Sequence, residues 1–541
     1  MLGHTQSPRR RFLVDLALLG ASVILFVLAF PSFLSAWGFP PLAFIAFLPI
    51  PLVIRRNGYL AAALLGMLYG YASYALFNYW LAKFHPLAHI IVPVVYGAFF
   101  VLLFPLLKGA DDLFPKSGHL VQIVVWLTYE YVRTLGFLGY SYGTIGYSQY
   151  LFLPLARFAS LTGVLGVSAI VAFPSFYLGR LLLEMVERAP IRALPFESPR
   201  RKFELVGYLV LVAGVLTYGF SRQTEFSDET QWRVALVQQN VDPWKGGDRA
   251  YQRSLEIHTE LSEQAEVEDP DIVIWSETAF VPSISWHTRF RTDSSRFEIV
   301  RRLTQFLDGR SVPYVIGNGD GQLADPAQPP IDGGGRWNRT DYNAVLMYEH
   351  GQIIDTYRKL HLVPFTEYFP FKEQLPRIYR WLEAADTHFW EKGNTYTVFD
   401  TGDVTFSTPI CYEDTFGYIS RGFVRAGAAV IVNITNDSWS SSVAAEMQHM
   451  AMSVFRALEN ERTLVRSTNG GITCTIEPDG QITNIIEPFT EGYLVADVPV
   501  YEGTRTLYTR LGDWFGIFVS FSALILLLGG SLYRWWRHRP N

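Results

Sequence analysis

Cysteine is nearly absent from this chain. Among 541 residues only Cys411 and Cys474 occur, which excludes a disulfide-rich scaffold and a zinc site built from four cysteines. Charge is scarce as well: Asp, Glu, Lys and Arg together make up 18%, against roughly 25% in ordinary soluble proteins. Neither sign dominates, with 50 acidic and 45 basic residues and a formal net charge of -5, so nucleic acid is not an expected partner. No internal repeat and no metal or nucleotide motif stands out, and no cofactor is expected. What is abundant is apolar. Hydrophobic residues reach 49% and mean hydropathy is +0.15. On a chain too long for one small domain, that composition indicates a membrane protein with a sizeable folded part.

The scarcity of charge is uneven. Residues 12–107 carry only Asp15, Arg55, Arg56 and Lys83. A helix needs about 20 apolar residues to cross a bilayer, so eight spans are expected, at about 12–30, 37–54, 59–80, 89–107, 120–138, 160–185, 204–220 and 512–533. Buried helices of a soluble protein are the competing reading, but one core of this size cannot hide so many long runs. The first run does not read as a cleavable signal, because its apolar core is long, no small-residue cleavage site stands out and further runs follow directly. Basic residues cluster at 9–11, 55–56, 108 and 116, 188–202 and 534–539, all on one side if eight spans alternate. The positive-inside rule then places both termini in the cytoplasm. The expected organisation is a seven-span membrane domain (1–221), an extracytoplasmic domain (222–511), and an eighth transmembrane helix with a cytoplasmic tail (512–541).

The stretch 222–511 has ordinary charge density. Short runs rich in Val and Ile recur at 233–237, 271–275, 313–317, 342–348, 404–410, 429–434 and 464–467, and they read as strands buried on both faces. Helical stretches lie at 250–266, 294–308 and 443–461, so a layered α/β sandwich is expected. The segment 321–340, rich in Gly, Pro and Asp, reads as a surface loop.

Three residues follow strand-like runs. Glu277 succeeds the run ending at Trp275, where partial desolvation makes a carboxylate a useful base. Lys359 and Glu367 flank an apolar run closed by Pro364. Cys411 ends a run and is followed by Tyr412, Glu413 and Asp414. Each alone reads equally as a capping residue, a charged turn or a small buried hydrophobe. A thiol beside a lysine and a glutamate is also an activated nucleophile. In this order the three resemble the Glu–Lys–Cys set of the nitrilase (carbon–nitrogen hydrolase) superfamily.

A closer resemblance, over most of the chain, is to the bacterial apolipoprotein N-acyltransferase family. It is carried by residues 126–133 with 146–149, by 237–238, 275–277 and 359–365, and by 410–413, 436–439, 456–459 and 467–471. The chain departs from that family at Thr366, where glycine is usual before the second glutamate, and at Ser440–Ser442, where Phe-Gly is frequent. The resemblance implies a nitrilase-like αββα domain joined to a helical membrane domain in the bacterial inner membrane. It implies transfer of a fatty acyl chain from a membrane phospholipid to the α-amino group of a lipoprotein's diacylglyceryl-cysteine, by a monomer, with Glu277 as base, Lys359 as oxyanion stabiliser and Cys411 as thioester-forming nucleophile. The Tyr412 backbone N–H is a second oxyanion donor. Glu367 and Glu413 can orient the triad or hold the amine, and Trp244 and Trp439 can line the acyl channel or simply pack. Glu130 and Arg133, ionisable residues inside an apolar run, are candidates for headgroup or lipoprotein contact, or form an ion pair with each other. Cys474 reads as structural, and both thiols are expected to be free. Two rival readings stand: a membrane-tethered amidase acting on small amides, and a transporter or receptor whose outer domain only binds ligand.

Overall fold

In the inner strands, Val, Ile and Leu fill consecutive positions, and the pleat sends them alternately to two covered faces. The computed structural model describes residues 7–187, 198–242, 245–331, 337–384 and 389–537. Strand β1 (Thr230–Gln238) turns Val234 and Leu236 to one core and Ala235 and Val237 to another, and β2 (Ile272–Trp275) divides Ile272 and Ile274 from Val273 and Trp275 in the same way. With β3 (Tyr314–Leu323), β4 (Arg339–Glu349), β5 (Gln352–Arg358) and β12 (Gly492–Val500) they form a six-stranded sheet in the order β12-β1-β2-β3-β4-β5. The second sheet runs through β6 (Val398–Asp400), β7 (Thr405–Ser407), β8 (Val430–Asn436), β9 (Leu464–Asn469), β10 (Thr473–Ile476) and β11 (Ile482–Ile486), in the order β11-β10-β9-β8-β7-β6. β1, β2 and β3 are parallel neighbours, as are β7, β8 and β9; the outer pairs are antiparallel.

The sheets meet through Val234, Leu236, Ile274, Phe406, Val432 and Ile434. Helices Asp248–Glu266 and Ser294–Asp308 cover the outer face of the first sheet with Leu255, Leu261, Leu303 and Leu307. Helix Val443–Asn460 covers the second sheet, and Met450 and Val454 share one core with Ile431, Cys474 and residues of the membrane helices. This helix therefore lies between the sheet and the membrane domain.

Six described helices are long and apolar enough to cross a bilayer: Pro8–Ala29, Tyr59–Phe77, Pro86–Leu113, Val164–Met185, Pro199–Ser221 and Trp514–Arg537. The run expected as a second span is broken into a 3₁₀ turn (Pro40–Ile45) and a helix (Pro49–Arg56). Prolines at 40, 41, 49 and 51 remove the N–H groups that a continuous helix needs. The fifth expected span is a helix of 15 residues, Gly118–Val132; the chain beyond it turns back through the 3₁₀ turn Ile145–Gln149. Helices Tyr59–Phe77 and Pro86–Leu113 pack closely because of glycine: a Cβ on Gly66 would lie 2.4 Å from the Phe100 carbonyl oxygen.

Candidate active site

Glu277 leaves the C-terminal end of β2, Lys359 follows β5, and Cys411 opens the 3₁₀ turn Cys411–Thr415. The run expected to continue to Cys411 stops as a strand at Ser407, and Ile410 keeps only an isolated bridge to Ile434. The reason is the turn itself. Cys411 has φ 50° and Thr278 φ 49°, left-handed conformations that cost energy for any residue with a Cβ and concentrate at functional sites.

The strand ends converge on one cavity of about 710 Å³, lined by Glu277, Lys359, Glu367, Cys411, Asn343 and Trp439 among others. Lys359 Nζ lies 2.7 Å from Glu367 Oε1 and 3.4 Å from Glu277 Oε1. Asn343 Nδ2 donates to Glu277 Oε1 at 2.8 Å and to Glu367 Oε1 at 3.1 Å. The Asn436 N–H donates to Glu277 Oε2 at 2.9 Å, and the Val363 N–H to Glu367 Oε2 at 2.7 Å. Both carboxylates are thus fixed at both oxygens. Cys411 is half-buried at the cavity wall, and both cysteines are free.

Burial pushes the Glu277 carboxyl above its ordinary range; Lys359 opposes this and the Glu367 charge reinforces it. Burial also drives the Cys411 thiol well up, Glu277 adds to the effect, and Lys359 opposes it. Burial works against the Lys359 charge, but Glu367 and then Glu277 outweigh it and hold the ammonium firmly protonated. A thiol and a carboxyl whose protonated forms are both favoured by burial, beside a firmly held cation, suit proton transfer coupled to nucleophilic attack.

The other expected site residues divide between the cavity wall and its surroundings. Glu413 is buried and is not among the residues lining the cavity. Its carboxylate accepts from the backbone N–H of Ile410, Leu360 and His361 at 2.8, 2.7 and 2.9 Å, and from the Tyr357 hydroxyl. It ties the turn of Cys411 to the strap that carries Lys359. Tyr412 lines the cavity and donates its hydroxyl to the Gly139 carbonyl at 2.8 Å, joining the two domains. Trp439 faces Trp80 and Phe84 at ring distances of 5.7 and 5.0 Å. Trp244 lies outside the described residues. Glu130 and Arg133 are buried and bind the returning chain separately: Glu130 accepts from the Ile145 N–H at 3.1 Å, and Arg133 donates to Thr144 Oγ1 at 3.0 Å and to the Tyr142 carbonyl.

The sequence reading assigned no role to Asn343, Asn436, Asp437, His449 or Arg466. Their signal was polarity inside runs otherwise committed to the core, and only neighbours distant in sequence reveal what they touch. The far wall of the cavity belongs to the membrane domain. Ala88, Ile91, Val92, Val95 and Tyr96 form one stripe along helix Pro86–Leu113, at the spacing of a single helical face.

Residues 233–506 match the carbon-nitrogen hydrolase family, and residues 22–177 match the apolipoprotein N-acyltransferase N-terminal domain. "Apolipoprotein N-acyltransferase 1" of Treponema denticola is 40% identical over 522 residues, covering 95% of this chain and 94% of that one. "Apolipoprotein N-acyltransferase" of Geobacter metallireducens is 31% identical over 528 residues, covering 94% and 93%. Among solved structures, an amidase from Nesterenkonia sp. is similar at 19% identity and a TM-score of 0.35, covering 51% of this chain and 93% of that one.

Proposed function

The chain belongs to the apolipoprotein N-acyltransferase family, and on that premise we propose that it N-acylates lipoproteins through a thioester on Cys411, with a membrane phospholipid as donor. Glu277 takes the Cys411 proton as the thiolate attacks the ester carbonyl. The oxyanion is met by the Lys359 ammonium and by the Tyr412 N–H, and one such donor is typically worth about 3–4 kcal/mol in the barrier. Collapse expels the glycerol oxygen, which takes the proton back from Glu277 and leaves as lysophospholipid. The α-amino group of the diacylglyceryl-cysteine then attacks the thioester, giving its proton to Glu277, and that proton returns to the departing thiolate. An ester, a thioester and an amide succeed one another, so the sequence needs no ATP. Glu367 orients Lys359, and Glu413 holds the two active loops in register.

One observation carries this reading: a reactive thiol, its base and its cation share a cavity with a continuous apolar stripe from a membrane helix. A small-amide hydrolase has no use for such a wall. The wall also supports shielding of the thioester from water, which favours transfer over hydrolysis. In this reading the chain crosses the inner membrane eight times, twice through the broken and short segments, with both termini cytoplasmic and the catalytic domain outside. Glu130 and Arg133 brace the returning chain beneath the cavity rather than touching lipid. The test is intact mass spectrometry of wild type and Cys411→Ala after exposure to phospholipid. A long-chain acyl adduct is expected on wild type alone, and it should vanish when a diacylated lipopeptide is added. Wild type that stays unacylated defeats the proposal.

A further inference from the structure

Helix Val443–Asn460 is buried at every residue from Ala444 onward, so each polar side chain on it needs a partner. His449 has two. Its Nε2 lies 2.7 Å from Asp414 Oδ1, and its Nδ1 lies 3.1 Å from Asp437 Oδ2. With a carboxylate at each ring nitrogen, both nitrogens carry hydrogen and the ring is an imidazolium. Arg466 completes the cluster, with Nη1 2.6 Å from Asp414 Oδ2 and Nη2 3.5 Å from Asp437 Oδ2. Glu446 accepts from Ser440; burial and then the Asp437 charge push its carboxyl well up, which favours its neutral form. His449 and Arg466 thus each pair with both Asp414 and Asp437, two bases against two acids.

The cluster touches the reaction from both sides. Asp414 sits in the turn opened by Cys411. Asp437 follows Asn436, whose N–H fixes Glu277. Asp437 and His449 themselves reach the cavity wall.

We propose that His449 is a positioning residue for the acyl transfer: its imidazolium locks the nucleophile's turn to the loop that orients the base, and it cancels carboxylate charge that would otherwise oppose the Cys411 thiolate. The proposal rests on Cys411 being the nucleophile. Burial disfavours the imidazolium, but Asp414 and then Asp437 outweigh it and push His449 up to about 9. The same contacts, with Arg466, hold both aspartates below their usual range against burial. The charged groups facing Cys411 are Glu277, Lys359 and Asp437. Those facing His449 are Asp414, Asp437 and Arg466, with Glu446 beside Asp437 and the Tyr142 ring centroid 6.4 Å away. Behind Arg466, burial pushes Cys474 up to about 12, so it adds no charge at neutral pH.

The test is alkylation of full-length protein in detergent with iodoacetamide from about pH 7 to about 11.5. The rate of Cys411 labelling at each pH is quantified by peptide mass, so that a shifted midpoint is read from the displacement of the rate profile, and folding is followed by thermal melting. His449→Gln leaves the cluster one negative charge richer. It should move the labelling midpoint up by about one pH unit, roughly a tenfold slower reaction at neutral pH. Asp414→Asn removes a negative charge and should move the midpoint down. General loosening of the site does not produce opposite shifts. If one variant fails to fold, the direction taken by the other decides. Midpoints equal to wild type, or moving the same way in both, overturn the proposal. Folded wild type that takes neither label nor acyl chain at Cys411 shows instead that the nucleophile assignment has failed, and the proposal falls with it.

Discussion

The two walls of the cavity are built by different rules. The wall at the strand ends is polar, doubly hydrogen-bonded at each carboxylate and partly in left-handed backbone. The facing wall is a stripe of aliphatic and aromatic side chains on one membrane helix. In the first, a displacement of an ångström breaks a specific contact; in the second, only shape and area matter. Chemistry should therefore be intolerant of change on one side, while substrate choice should be tunable on the other.

The sharpest break in that comparison comes from the cation. In the proposed mechanism Lys359→Ala removes the oxyanion's charged partner, and it leaves Glu277 and Glu367 facing each other. Single-turnover acylation should slow by about 100- to 1000-fold. A loss of tenfold or less would show that the polar wall is as forgiving as the apolar one. Next is pH. As the proposed base, Glu277 must be ionised to accept the thiol proton, and burial raises its pKa, with Glu367 reinforcing the shift against Lys359. Acylation should accordingly fall off on the acid side at a pH above the ordinary carboxylate range, because the base is already protonated there. Rates of acyl-enzyme formation against pH check this, and a limb at the ordinary carboxylate value contradicts the desolvation argument.

The same contrast explains what was legible in the sequence. The strand at Trp275 and the helix near 443 follow from local pattern, because each residue's partner face repeats every two or every 3.6 positions. That Cys411, Lys359 and Glu277 share one cavity is anticipated by their order along the chain, which resembles the family's. The arrest of the strand at Ser407 is not, since it depends on a left-handed turn that no apolar pattern records. The proline-broken second span was open to view, but apolar content alone hides it. His449 reads locally as one histidine on a mixed helix; its two aspartates come from a turn and a loop that only the fold brings together. Glu413 is the reverse case, a residue whose acidity suggested chemistry while its oxygens are spent on backbone donors.

That case supplies a third prediction. Glu413→Ala strands the buried N–H groups of Ile410, Leu360 and His361, at a cost of about 3 kcal/mol or more. It should lower the melting temperature and slow acylation less than Lys359→Ala, which also leaves two buried carboxylates without their cation but in addition removes the proposed oxyanion partner. Thermal melts beside burst amplitudes separate the two. A fourth probes the apolar wall. Val95→Trp shortens the channel, so a donor with a shorter chain should gain about tenfold over a long one in direct competition, with acylation by the short donor near the wild-type rate. Equal losses for both donors would mean that the stripe is not where the chain lies.

The smallest effect is expected where the two walls meet. Ser441 lies in the left-handed region at φ 47°, and its carbonyl accepts from Lys83 Nζ at 2.5 Å, which bridges the catalytic loop to the membrane domain. The backbone makes that contact, so Ser441→Gly keeps it. Glycine removes the left-handed penalty but gains freedom in the unfolded chain. These two terms oppose each other, and the net change in stability should stay below about 1 kcal/mol, with acylation kinetics unaltered. A melting temperature within about two degrees of wild type is the expected reading. A larger fall would assign the serine side chain itself a part in closing the seam, and the seam would then belong with the intolerant wall rather than the tunable one.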